Sequence, residues 1–243
     1  MTIMKVLSIG NSFSEDAQAY LKGVCDAAEV EVYNVNLFVG GCTLLRHYNN
    51  LTRDIPEYRL DICGVPTDRR VTVKEALAME EWDVVTLQEA SARSAEICHF
   101  EPYIYEIIKY IKEVCPRARI ALHQTWGYGE NLLHRMKHFG CYSAEEMFET
   151  VERVYREVFR RTGADILIPS GRVFLELYRK GYNVHYEDGQ HSGRGLGRYA
   201  LALTWCRTLF GIEVSGNTFR DFEVPLTDGE IRAAWETIDG LDI

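Results

Sequence analysis

Met4-Lys5-Val6-Leu7-Ser8-Ile9-Gly10-Asn11-Ser12-Phe13-Ser14 is the stretch that decides the fold. Its Val, Leu and Ile residues read as a buried strand. Gly10-Asn11 breaks the run, and Glu15-Asp16-Ala17-Gln18-Ala19-Tyr20-Leu21 opens a helical pattern expected to reach about Glu29. Ser12 therefore falls on a strand-to-helix turn. Open α/β sheets present groups to ligands there, beyond the carboxyl ends of their strands. The free amides of a helix start favour negative charge. Two readings of Ser12 fit: a nucleophile, or a cap in the S-x-x-E box Ser12-Phe13-Ser14-Glu15.

Outward from this stretch, strands and helices alternate. Val30 to Leu37 has period two and reads as a second strand ending at Gly40-Gly41-Cys42-Thr43, followed by a short helix to about Leu51. Residues 52–73 break the rhythm and read as a small inserted hairpin, a flap. A short helix, Lys74 to Glu81, leads to Asp83-Val84-Val85-Thr86-Leu87-Gln88, continuously apolar before Gln88 as a central parallel strand is. Pro102 to Cys115 is an amphipathic helix, and Ala118 to Gln124 a fourth strand. Ser143 caps a long helix to about Thr162, and Asp165 to Pro169 is a fifth strand. Helices from Arg172 to Lys180, Gly193 to Phe210 and Asp228 to Ile238 complete the pattern. The expectation is one domain over residues 1–243. Its fold is a three-layer α/β/α sandwich around a five-stranded parallel sheet in the flavodoxin-like order 2-1-3-4-5.

The 243 residues are 47% hydrophobic and 26% charged, an ordinary globular balance able to bury a large core. A formal net charge of −9 argues against nucleic acid or an anionic membrane as partner. No basic-then-apolar leader and no bilayer-length apolar run is visible. Seven cysteines, at 25, 42, 63, 98, 115, 141 and 206, form no C-x-x-C pair, which fits a reduced cytoplasmic compartment.

A serine hydroxyl needs a base within hydrogen-bond reach, and the base needs a group to hold its tautomer. Glu187-Asp188-Gly189-Gln190-His191-Ser192-Gly193-Arg194 offers both, with a carboxylate three residues before an imidazole on a glycine-rich loop. The bland reading of Asp-x-x-His is a surface turn with a capping Asp. Trp126 and Tyr128 follow the fourth strand, as an aromatic wall for a sugar ring or acyl chain or as packing under a loop. His123 reads as a satisfied core histidine. His134 and His138 lack the Glu of H-E-x-x-H and carry two cations between them, so no metal and no cofactor is expected. Cys42 reads as structural, and Asn11 as shaping its turn.

The series Ile9-Gly10-Asn11-Ser12-Phe13-Ser14, Gly40-Gly41, Trp82 to Ser91, His123-Gln124-Thr125-Trp126 and Asp188-Gly189-Gln190-His191 resembles the SGNH (GDSL-like) hydrolase superfamily, and within it the bacterial DUF4886 branch. The resemblance implies ester hydrolysis through an acyl-serine. Ser12 would be the nucleophile, His191 the base and Asp188 its orienter, with an oxyanion hole of the Ser12 and Gly41 amides. The superfamily's usual Gly-x-Asn-Asp is absent: Leu87-Gln88-Glu89-Ala90-Ser91 stands there, leaving Gln88 or Ser91 as third donor, with Gln88 the nearer chemical substitute. The expected substrate is a small acyl ester, acetyl being one candidate, on a small molecule or carbohydrate. The alternative is a flavodoxin-like module that binds a phosphate or a glycan without turnover.

Overall fold

A computed structural model describes residues 3–242. Seven strands form one sheet: β1 (Met4–Gly10), β2 (Val32–Phe38), β3 (Tyr58–Ile62), β4 (Val65–Val71), β5 (Val84–Leu87), β6 (Arg119–His123) and β7 (Ile166–Ile168). Their order is β4-β3-β2-β1-β5-β6-β7. The five strands from β2 to β7 pair in parallel in the expected 2-1-3-4-5 arrangement. The strand count differs from the expected five. Residues 58–71 are a hairpin, but not a detached flap: β3 pairs antiparallel with β2, Val35 opposite Ile62 and Phe38 opposite Arg59, and extends the sheet. Its turn is Cys63-Gly64, both at positive φ (49° and 79°), the geometry of a two-residue hairpin. The new edge strand carries Pro66, Asp68, Arg69 and Arg70, residues that blunt edge-to-edge pairing.

The helices are α1 (Ser12–Gln18), α2 (Leu21–Ala27), α3 (Leu44–Arg53), α4 (Val73–Leu77), α5 (Tyr103–Val114), α6 (Leu133–Met136), α7 (Ala144–Thr162), α8 (Ser170–Arg179), α9 (Leu196–Phe210) and α10 (Asp228–Asp239). The helix expected from Glu15 to Glu29 starts earlier and breaks at Ala19-Tyr20 into α1 and α2. On one face α1 and α2 pack on α9, which also contacts α8 and α10; on the other α3 packs on α5 and α4. Val6, Leu7, Ile9, Val84, Val85, Leu87, Ile120, Ala121 and Leu122 are all at most 1% exposed between these layers. Among the described residues no helix is long and apolar enough to cross a membrane.

Polar side chains under α1 fix its seat. Gln18 donates to the Ser8 hydroxyl at 2.5 Å and accepts from Asn34 at 2.8 Å, and the Thr86 hydroxyl donates to Ser8 at 2.7 Å. One turn earlier Ser14 donates to Asn36 at 2.7 Å. Ser14 and Gln18 thus face the sheet at i, i+4. Ser12 and Asp16, at the same spacing, both face the loop at 188–192.

Candidate active site

The cap of α1 is Asn11, not Ser12. Asn11 Oδ1 accepts from the Phe13 amide at 3.0 Å, and the Ser14 hydroxyl accepts from the Asn11 amide at 3.1 Å, closing a capping box one residue before the one the sequence suggested. Ser12 is left at the first helical position. Its hydroxyl is not spent on capping, and its amide has no partner in the helix ladder.

That hydroxyl lies 2.9 Å from His191 Nε2, and His191 Nδ1 lies 2.5 Å from Asp188 Oδ2. A carboxylate can only accept, so Nδ1 carries the proton and Nε2 is free to accept from Ser12. Asp188 Oδ1 takes the amides of Gln190 and His191, both at 2.9 Å, which locks the carboxylate to its own loop. Burial alone would raise the Asp188 carboxyl. The hydrogen bond from His191, with those two amides, outweighs it and holds the group below the usual carboxylate range.

Asp16 brings the two halves together. Its Oδ2 accepts the Ser192 amide at 3.0 Å, and its Oδ1 accepts from Arg198 at 3.0 Å. One helix thus carries the hydroxyl that meets the imidazole and the carboxylate that grips the neighbouring residue. Burial raises the Asp16 carboxyl, against the pull of Arg198. Arg198 also pairs with Glu223, and the Tyr20 hydroxyl donates to the Arg194 carbonyl while accepting the Glu223 amide, so Tyr20 before α2 and Glu223 after α9 together hold the loop from outside. Sequence reasoning passed over Asp16; its i, i+4 spacing from Ser12 was the available signal.

Gly41 has φ +60°, open space where a Cβ would stand, and a solvent-exposed position. Its loop is tied to Ser12's turn by Asn11 Nδ2, which donates to the Cys42 carbonyl at 3.0 Å. Cys42 itself is buried, and burial pushes its thiol up to about 12, which leaves it inert.

Gln88 and Ser91 are 1% and 4% exposed, and both are engaged. Gln88 donates to Asn11 Oδ1 at 3.0 Å, and its Oε1 lies 3.1 Å from His123 Nδ1. His123 Nε2 lies 3.1 Å from the Ser170 hydroxyl, so a buried chain Asn11–Gln88–His123–Ser170 runs beneath the site. His123 is the satisfied core histidine expected; burial lowers it to about 3. Ser91 accepts from the Tyr128 hydroxyl at 3.2 Å. Both candidates thus sit in supporting networks.

Trp126 and Tyr128 do not form an exposed wall. They are 0% and 2% exposed. Trp126 packs edge-on to Phe13, ring centroids 4.2 Å apart, and donates to the Gln190 carbonyl at 2.9 Å. Each indole and phenol finds a partner, as buried Trp and Tyr do. Trp126 braces the 188–191 loop from behind and Tyr128 packs beneath Ser91, so they take the packing reading and not the place against the substrate. Glu89, absent from the expected site, is fully buried and accepts the amides of Leu44 (3.1 Å) and Ala90 (2.6 Å). It pins the start of α3, directly after the Gly41 loop, to the end of β5. Among the described residues no cluster of three or more His, Cys, Asp or Glu could hold a metal ion.

The family described as "Domain of unknown function (DUF4886)" matches residues 5–235. A DUF4886 family protein from Bacteroides uniformis ATCC 8492 superposes with TM-score 0.89 at 29% identity, over 98% of this chain and 94% of that one. A protein from Slackia heliotrinireducens assigned as an SGNH hydrolase matches at TM-score 0.62 and 21% identity, over 86% of this chain and 100% of that one. A family 3 carbohydrate esterase from Clostridium thermocellum matches at 0.53 and 12%, over 86% and 96%. No curated protein matches the chain.

Proposed function

The chain belongs to the DUF4886 family, built on the fold of SGNH hydrolases, and from that premise we propose that it is a serine ester hydrolase whose nucleophile is Ser12. The observation that carries the reading is the hydroxyl–imidazole–carboxylate line, at 2.9 and 2.5 Å.

In the proposed reaction Ser12 Oγ attacks the ester carbonyl while His191 Nε2 takes its proton. The imidazolium so formed is held by Asp188. The tetrahedral oxyanion faces the amides of Ser12 and Gly41, each worth about 3 kcal/mol of transition-state stabilisation. Its collapse breaks the C–O bond, and His191 returns the proton to the departing alcohol. Water then attacks the acyl-serine by the same route, releasing the acid and restoring Ser12. Asn11 orients both donors, because it caps α1 and holds the Cys42 carbonyl.

A small acyl ester of a carbohydrate, an acetyl ester being the simplest, is the substrate we infer. The exposed Gly41 loop and the half-exposed imidazole favour an ester presented at the surface of a larger molecule. The likeness to the carbohydrate esterase supports the fold's suitability for such chemistry. The test is hydrolysis of p-nitrophenyl acetate by the wild type, Ser12→Ala and His191→Ala. Turnover by the wild type that both changes abolish is expected; turnover surviving both would sink the mechanism.

A further inference from the structure

A cleft of about 390 Å³ lies against the loop that carries Asp188 and His191. That loop is a tight hairpin. His185 bridges Ser192, the Tyr186 amide donates to the His191 carbonyl at 2.9 Å, and the Gly189 amide donates to the Tyr186 carbonyl at 2.9 Å. Tyr186 and Glu187, which line the cleft, directly precede Asp188. Tyr186, which lines the cleft, therefore sits across the hairpin from the proposed base, and the cleft's volume is in the range of small-ligand sites.

Its lining has a definite chemistry. Tyr178, Tyr182 and Tyr186 bring three rings to it, flat surfaces with polar rims. Between them stand the carboxylates of Glu130 and Glu187 and the amide of Asn131. His185 supplies a buried polar group. It is 8% exposed, and its Nε2 lies 2.8 Å from the Gly127 carbonyl. A carbonyl only accepts, so Nε2 holds the proton and Nδ1 is a neutral acceptor. Burial lowers the His185 imidazole below its usual value, which keeps it in this form. Nothing among the described residues donates to Nδ1. Gly129 keeps the approach open: a Cβ there would stand 3.3 Å from Nδ1 and 3.2 Å from Asn131 Oδ1.

His185 Nδ1 and the exposed Glu187 carboxylate are acceptors open to hydroxyl donors, beside aromatic faces. None of the ten lining residues is Lys or Arg and two are Glu, and Arg194, stacked over the Tyr186 ring, is paired with Glu223, so the lining disfavours phosphorylated or acidic sugars. Glu130 is already engaged by the Tyr178 hydroxyl at 2.7 Å, which weakens its pull on an organic cation. We propose that this cleft is a subsite for uncharged sugar residues of a glycan whose ester is presented to Ser12, with His185 Nδ1 as an acceptor for a sugar hydroxyl. This rests on the hydrolase reading for the ester, but the sugar binding stands on its own geometry.

The test separates the two. Xylohexaose, cellohexaose and chitohexaose, all free of ester, are titrated into Ser12→Ala by calorimetry, with p-nitrophenyl acetate hydrolysis by the wild type measured in parallel. Binding of at least one, weakened tenfold or more by Tyr182→Ala in the same background, is expected. Should Tyr182→Ala fail to fold, the ¹⁵N resonance of His185 Nδ1 in the Ser12→Ala protein reads the same event. It should shift on titration, while the resonances of His134 and His138 stay still. Failure of all three sugars to bind at millimolar concentration, or binding that leaves His185 unmoved, overturns the subsite even if esterase activity is present. Tetramethylammonium binding in place of the sugars also overturns it. Sugar binding without any p-nitrophenyl acetate turnover leaves the subsite standing and removes the hydrolase reading.

Discussion

β5 is four residues long, and its two ends differ sharply. Beyond its amino end lies a cavity of about 580 Å³ lined by residues of 77–82 and 114–118, larger than the cleft beside His191. Its charges are surface charges: Glu81 pairs with Arg117, the two side chains 84% and 75% exposed, and Glu80 pairs with Lys5. Beyond the carboxyl end two titratable groups are buried beneath the half-exposed Asp188 and His191. Glu89 and His123 are 0% exposed, and each is held by named partners. Burying polar groups costs free energy unless every one is satisfied. A fold that carries that cost at one end of its strands is using it to hold something in place. Cavity size points to the amino end, and buried polarity points to the end that carries Ser12 and His191.

The comparison breaks most visibly in activity. His191→Ala is expected to lower kcat on p-nitrophenyl acetate by about 10⁴-fold or more, since members of such a triad act as a unit. Asp188→Asn, which keeps the shape but favours the wrong tautomer, is expected to cost about 10⁴-fold. Either variant retaining near wild-type kcat would erase the functional distinction between the two ends. Both should melt close to the wild type, because the two side chains are 35% and 42% exposed.

Asn11→Ala probes the buried chain itself. It removes a helix cap and leaves Gln88 without its acceptor, and denaturant unfolding should show a loss of about 3 kcal/mol. It should also lower kcat, because the same side chain holds the Gly41 loop. A loss under about 1 kcal/mol would mean that the chain Asn11–Gln88–His123 is not coupled.

Glu89 sharpens the contrast through pH. Burial, opposed by the amides of Ala90 and Leu44, raises its carboxyl to about 7. A carboxyl raised in the folded state binds its proton more tightly there than in the unfolded chain. Its contribution to stability is therefore present at low pH and falls away as pH rises toward about 7. Glu89→Gln removes this dependence. Between about pH 5.5 and about pH 8 the stability difference, variant minus wild type, should rise by about 2 kcal/mol. A flat difference in chemical denaturation would place the Glu89 carboxyl in the ordinary range. The smallest effect belongs to the other end: Arg117→Ala should change stability by less than about 0.5 kcal/mol and leave turnover unaltered.

Much of the strand order was legible because parallel strands announce themselves locally. Val84-Val85-Thr86-Leu87 is apolar on both faces, and the crossover helices α5 and α7 carry amphipathic stripes. The hairpin at 58–71 was legible as a hairpin but not as part of the sheet, because its pairing with β2 depends on a free edge that no local pattern reveals. The cap of α1 was misplaced by one residue for a similar reason. Ser12-x-x-Glu15 and Asn11-x-x-Ser14 are both plausible boxes, and only the contacts of Asn11 with Cys42 and Gln88 choose between them. Trp126 and Tyr128 illustrate the limit most plainly: an aromatic after a strand can line a cleft or brace a loop, and burial decides.

The sequence alone determined the elements, their parallel order and the residue types that meet at Ser12, since hydrophobic period, turn residues and the spacing of Asp188 and His191 are properties of short stretches. Tertiary structure decided which hydroxyl is free, which amides are engaged, and which carboxylates are buried. Those outcomes depend on partners far apart along the chain. Asp16 with Ser192, Asn11 with Gln88 and Glu89 with Leu44 meet only once the layers have closed, and only then does water leave the groups whose chemistry matters.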